Sequence, residues 1–195
     1  MTIAYVLLAA GCASRFGGCK QLAQIDEKPL ILHSLDVLRR VSNSEPNSEP
    51  FVVLGAYYDE ISAVLGDSAN IIKNEDWQQG LGSSIAKAVA DIEAIGRFDA
   101  VLFTLADQIK VTEADLTDLI HAFEVKPITS AAFYGNKPGV PVLFPRSMFA
   151  KLKGLEGESG AKSLLMQSDN QLQTIKMDNA KFDIDYPEDL AKIRL

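Results

Sequence analysis

The chain has 195 residues, 47% of them hydrophobic and 23% charged, which suits one domain with a full core and no disulfide framework. Its net charge of −7 argues against a nucleic-acid footprint, which needs a basic face. A small anionic ligand held by local cations and backbone N–H groups stays compatible with that balance. The two cysteines, Cys12 and Cys19, stand without a His/Cys cluster. No zinc site is expected, and a reducing cytoplasm suits them.

Ile3 to Ala10 is an unbroken apolar run ending at Gly11. It is well short of the ~20 residues that span a bilayer and lacks a basic flank. It reads as a strand buried on both faces, in a protein with no membrane association. Pro29 to Arg40 has helical spacing, with Leu30, Leu35 and Leu38 near one face and Arg39 and Arg40 in the last turn. Residues 42–50 are a polar, proline-bearing connection. Phe51–Gly55 is a second strand, Tyr58–Leu65 a helix and Asn70–Lys73 a third strand. A loop from Asn74 to Gly82 leads to a helix over Ser83–Ala94, with Ser83 or Ser84 as its cap. Ala100–Leu105 is a fourth strand. Thr112 opens a helix to about Glu124, with Asp115 placed for a capping arrangement.

This βα alternation over about residues 1–125 predicts a parallel α/β sheet with helices on both faces. The remainder, about 126–195, is more mixed. Ile128–Tyr134 and Val140–Phe144 read as strands around a GNKPG turn. Helices follow near Ser147–Lys153 and Ser159–Ser168, then a strand at Leu172–Lys176. Phe182–Asp185 is an apolar–acidic alternation, and Pro187 starts a final helix to Ile193.

The densest chemical signal is residues 8–22, LAAGCASRFGGCKQL. A buried strand feeds a turn carrying Gly11, Gly17 and Gly18, where N–H groups can approach a ligand, and Arg15 and Lys20 add two cations. The loop matches neither GxxxxGK[ST] nor GxGxxG. It is either a phosphate-binding loop of another kind or a glycine-rich turn with two solvated cations. Asp107 follows an apolar strand, where open α/β sheets bind ligands. It is a candidate Mg²⁺ ligand or a turn cap. Asp183 and Asp185, two apart in an extended segment, would face one side. They either complete a metal site or belong to a turn opening the last helix. Gly80, Gly82, Ser83 and Ser84 offer donors to a nucleotide, or cap a helix. Trp77 reads as packing or as a pocket wall. His33 and His121 have no metal-ligand partner at suitable spacing, and a Cys12–Cys19 disulfide is a minor alternative to two small loop residues.

Leu8-Ala9-Ala10-Gly11, Arg15-Phe16-Gly17 and Lys20 together resemble the signature of nucleotidyltransferases with a Rossmann-like fold, roughly LAAGxSxRxGxxKxL. Five later segments narrow the resemblance. They are Gly80-x-Gly-Ser-Ser, Ala106-Asp-Gln, Gly139-Val-Pro-Val-Leu-Phe-Pro, Gly157-Glu-Ser-Gly-Ala-Lys and Asp183-Ile-Asp-Tyr-Pro-Glu-Asp. In order along the chain, they are similar to the molybdenum cofactor cytidylyltransferase group of the MobA-like superfamily. The sequence departs from that pattern at Ala13, where Ser or Gly is usual, and at Glu158 and Lys162, which replace Asp and Arg.

The resemblance implies a three-layer α/β/α fold with a mostly parallel central sheet. It implies a Mg²⁺-dependent transfer of CMP from CTP to a molybdopterin-type acceptor, with release of pyrophosphate. Arg15, Lys20 and Asp107 would be catalytic. Leu8, Ala9, Ala10, Gly11, Gly80, Gly82, Ser83 and Ser84 would join them around the nucleotide, and Asp107, Asp185 and Asp183 would hold the metal. A molybdoenzyme receiving the product is the implied partner. Ala10 favours CTP over the GTP of the nearest relatives. Guanylyl transfer, nucleotidyl transfer to another phosphorylated small molecule, and non-catalytic delivery of the cofactor by a chaperone are the rival readings.

Overall fold

The computed structural model describes all residues except 43–48, 97, 159, 168–170 and 194–195. Most of the polar connection expected at 42–50 therefore lies outside the described residues. The elements are β1 (Ile3–Leu8), β2 (Gln24–Ile25), β3 (Lys28–Pro29), α1 (Leu30–Ser42), β4 (Phe51–Leu54), α2 (Tyr58–Leu65), β5 (Asn70–Lys73), α3 (Leu81–Ile95) and β6 (Ala100–Leu105). They continue with α4 (Glu113–Val125), β7 (Thr129–Tyr134), β8 (Lys137–Pro145), α5 (Phe149–Lys153), α6 (Lys162–Met166) and β9 (Leu172–Lys176).

Seven strands form one sheet in the order β5-β4-β1-β6-β8-β7-β9. Every pairing is parallel except those of β8, which runs against both β6 and β7. The mixed end arises because β7 and β8 are joined by a tight turn, which only antiparallel neighbours allow.

The period-2 alternation of β1 decides the layering. Ile3, Tyr5 and Leu7 pack with Leu30, Leu35 and Leu38 of α1, Ile61 of α2, and Leu116, Leu119 and Phe123 of α4. Ala4, Val6 and Leu8 point to the other face, against Ile85, Val89 and Ile92 of α3, Phe149 of α5 and Leu165 of α6. Both faces of the sheet are thus covered, giving the α/β/α sandwich. No described helix is long and apolar enough to cross a membrane.

Several local expectations shift. Pro29 sits in β3, and α1 starts one residue later. It follows a hairpin whose turn residues Asp26 and Glu27 both take positive φ. Gly80, not a serine, precedes α3, and both serines lie within its first turn. The Thr112 capping box forms as read, with Thr112 Oγ1 accepting the Asp115 N–H and the Asp115 carboxylate accepting the Thr112 N–H. Residues 182–185 form no strand, and residues 187–192 are a 3-10 helix.

The direction in which strands are added to the sheet reverses between the parallel neighbours β1 and β6. The path leaves β1 toward β4 and β5, then returns to β6 and continues to the opposite edge. Such a switch point opens a crevice beyond the carboxyl ends of the two strands, and the site lies there.

Candidate active site

Beyond β1 and β6 lies a cavity of about 580 Å³. Its floor is residues 8–15. Ala9 donates its N–H to Val53 O at 3.0 Å, and Ala56 donates to Ala10 O at 3.0 Å. Gln21 is buried and sends its side-chain amide to Ala9 O and Gly11 O, each at 3.0 Å. The carbonyls of the loop are therefore tied back into the protein. Among the described residues no protein acceptor takes the N–H groups of Gly11 to Arg15. A row of free N–H donors with two cations beside it has the makings of an anion site.

Lys20 and Arg15 meet two carboxylates from the far side of the crevice. Lys20 is 9% exposed. Its Nζ donates to Asp107 Oδ2 at 2.8 Å and to Ile184 O at 2.5 Å, and lies 3.8 Å from Asp185 Oδ1. Arg15 reaches Asp185 Oδ2 at 3.3 Å. Ile184 donates its N–H to Asp107 O at 3.3 Å, so the segment before the last 3-10 helix is fastened to the Asp107 turn. The other Asp107 oxygen, Oδ1, is buried without a hydrogen-bond partner. An unpartnered buried carboxylate oxygen is costly unless a cation completes it. Asp107 and Asp185 supply hard oxygen donors of the kind that Mg²⁺ and Mn²⁺ take. No group of three or more His, Cys, Asp or Glu converges as a metal cluster among the described residues. A metal here would draw its remaining oxygens from substrate phosphate and water, as Mg²⁺ commonly does.

Asp183 does not line the cavity with Asp185. Without a strand at 182–185, the two carboxylates do not share a side. Asp183 keeps an exposed flank, yet protein atoms crowd its carboxylate. Partial burial pushes its pKa up to about 6, and the charges of Asp107 and Asp185 add to this while Gln108 and Lys20 oppose it. Gln108 is buried, donates to Tyr134 Oη at 3.2 Å and Ala180 O at 2.8 Å, and has an unpartnered Oε1.

The other end of the cavity is built by Trp77, Gln78, Gly80, Leu81, Ser84 and Glu158. Gly55 makes room for Trp77, since a Cβ there would come within 2.4 Å of the tryptophan. Gly80 and Gly82 press against the backbone of residues 156–158, and Gly82 donates to Gly157 O at 2.9 Å. Gly82 and Ser83 do not line the cavity. Ser83 Oγ instead donates to Gly80 O at 2.8 Å, and Asn74 donates to both Ser83 and Ser84 at 3.0 Å. Of the expected nucleotide residues, Leu8, Ala9, Ala10, Gly11, Arg15, Lys20, Gly80, Ser84 and Asp107 face one space. Gln21, Gln78, Leu81 and Glu158 also line it, and none of the four is among the residues expected to hold the nucleotide. Gln21 had a signal, as a polar residue directly after Lys20 at the close of the loop. Cys12 and Cys19 are free thiols.

The family model of the MobA-like NTP transferase domain matches residues 5–172. The chain belongs to this family. As a MobA-like nucleotidyltransferase, it is similar to the purine catabolism protein PucB of Bacillus subtilis (strain 168). The two are 26% identical over 200 residues, covering 97% of this chain and 94% of PucB. Rv0371c of Mycobacterium tuberculosis H37Rv shares the fold with a TM-score of 0.84 at 24% identity, covering 98% of this chain and 97% of that one. A manganese complex of Rv0371c gives a TM-score of 0.78 at 23% identity, over 98% and 97% of the two chains.

Proposed function

We propose that this MobA-like protein transfers CMP from CTP to the phosphate of a molybdopterin-type acceptor and releases pyrophosphate. One observation carries the reading: the donor-rich loop of residues 11–15, its two cations, and the carboxylates of Asp107 and Asp185 open onto one cavity. The motif resemblance along the chain supports the cytidylyl and molybdopterin assignment. The likeness to PucB, named for purine catabolism, leaves the acceptor to be decided by assay.

In this reading the N–H groups of residues 11–15, with Arg15 and Lys20, hold the triphosphate. A phosphate oxygen of the acceptor attacks the α-phosphorus, and the bond from the α-phosphorus to the bridging oxygen breaks, so pyrophosphate leaves with that electron pair. Asp107 and Asp185 would hold Mg²⁺, with Asp183 close by as a further negative charge. When bound, the ion supplies Lewis-acid neutralisation of the α-phosphate. No protein nucleophile is needed, and the protein contributes chiefly by positioning and charge neutralisation. The Gly80–Ser84 end and Trp77 wall receive the base and ribose. A cytoplasmic location, and delivery of the product to a molybdoenzyme, belong to the same proposal.

The test is pyrophosphate release from CTP or GTP with molybdenum cofactor and Mg²⁺. CTP should be the preferred donor, and Asp107→Ala should reduce release at least ~10²-fold while the protein stays folded. Near-normal turnover of Asp107→Ala would remove the assigned role. Cofactor binding without turnover of any triphosphate would favour a chaperone.

A further inference from the structure

The cations of the phosphate loop rest on carboxylates rather than pointing freely into the cavity. Lys20 donates to Asp107 Oδ2 and to the Ile184 carbonyl and lies near Asp185, and Arg15 holds Asp185. The Lys20 side chain is only 11% exposed, so solvent screens its charge weakly. At the same carboxylates, Asp107 Oδ1 has no partner. The site thus attracts one more cation and at the same time carries two positive charges that repel it. A triphosphate resolves the conflict, because its phosphates offer these two side chains a denser negative charge than the carboxylates do.

We propose that Lys20 and Arg15 form a latch that holds off the divalent metal until a nucleoside triphosphate draws both cations onto its phosphates. The latch rests on the reading of Asp107 and Asp185 as metal ligands. Its consequence is reciprocal coupling: triphosphate and metal each strengthen the binding of the other through the protein. It also gives Lys20 effects of opposite sign. Removing its charge weakens triphosphate binding but tightens metal binding when no nucleotide is present. A lysine that repelled the metal without moving onto the triphosphate would tighten Mn²⁺ equally with and without nucleotide, whereas the latch confines the tightening to the nucleotide-free protein.

The experiment is a titration of the full-length protein with Mn²⁺ alone, followed by electron paramagnetic resonance, without nucleotide or acceptor. Lys20→Met keeps the length and buried volume of the side chain and removes the charge. Its Mn²⁺ dissociation constant should fall about tenfold. Arg15→Gln lies on a side chain 66% exposed, so it tests the same point should Lys20→Met fold poorly, and it should tighten Mn²⁺ severalfold. Both variants should bind CTP more weakly. Unchanged or weaker Mn²⁺ binding in the folded variants overturns the latch. Adding Asp107→Asn to either variant should abolish the gain. If Asp107→Asn leaves Mn²⁺ binding untouched in the wild-type background, in the latch variants and with CTP present, the metal-ligand reading itself fails, and the latch with it.

Discussion

The side-chain amide of Gln21 spans the carbonyls of Ala9 and Gly11, at 3.0 Å each, and so closes the glycine-rich loop onto the end of β1. Gln21 is 4% exposed, and both acceptors are neutral backbone carbonyls. Its role is to take up loop carbonyls so that the loop presents N–H groups to the cavity. Gln21→Leu strands two carbonyls and should cost about 1–3 kcal/mol in urea denaturation. The KM for CTP should rise severalfold, and a variant with unchanged KM would separate loop closure from nucleotide binding.

Two glycines should answer alanine substitution in opposite ways. A Cβ at Gly11 meets nothing within 4 Å, and Gly11 lines the cavity. Gly11→Ala should therefore melt like the wild type but bind CTP more weakly. A Cβ at Gly82 would stand 2.6 Å from the Glu156 backbone. Gly82→Ala should lose about 1–3 kcal/mol by forcing the 156–158 segment away. Thermal melts and CTP titrations of the two proteins check the contrast.

Asp183 makes stability depend on pH. Its folded pKa, about 6, is raised above the ordinary 3.8, chiefly by partial burial and next by the charge of Asp107. The folded state thus binds the proton more tightly than the unfolded chain. The resulting stability is complete below pH 3.8 and is lost as pH rises through about 6. In metal-free buffer Asp183→Asn should be more stable than the wild type at pH 8, with the advantage gone at pH 4. Solvent on the exposed flank reduces the gain to about 1 kcal/mol. Equal urea midpoints at pH 8 would contradict the shift.

The β2–β3 turn carries Asp26 at φ 47° and Glu27 at φ 63°, a geometry in which glycine has no Cβ penalty. Glu27→Gly should raise stability by a few tenths to about 1 kcal/mol without changing turnover, since the turn does not line the cavity. Loss of stability on that substitution would show that the Glu27 side chain has an unrecognised role.

The sequence alone was enough for what depends on neighbours along the chain. β1 and β4 are continuous apolar runs, and β6 is broken only by Thr104, because both faces of the sheet are covered and burial leaves its mark on nearly every residue. Tyr58–Leu65, Asn70–Lys73 and Ala100–Leu105 match their expected bounds, and the Thr112–Asp115 cap is a contact three residues long. The glycines and cations of residues 11–20 marked a candidate anion site for the same local reason. The β2–β3 hairpin was not legible, because its positive-φ residues are Asp26 and Glu27 rather than the Asn-Gly or Gly pairs that signal such turns. The hydroxyls of Ser83 and Ser84 suit either a cap or a nucleotide contact, and the sequence does not show that Gly80, packed on residue 157, starts α3 earlier.

Only the tertiary structure decided which carboxylate meets which cation. Lys20 finds Asp107 across 87 residues and Ile184 across 164, and no periodicity reports contacts of that range. An i, i+2 rule would place Asp183 beside Asp185, but it holds only for an extended strand. Here the hydrogen bonds to Asp107 and Lys20 set the path of residues 182–185, turning Asp185 to the cavity and leaving Asp183 outside its lining.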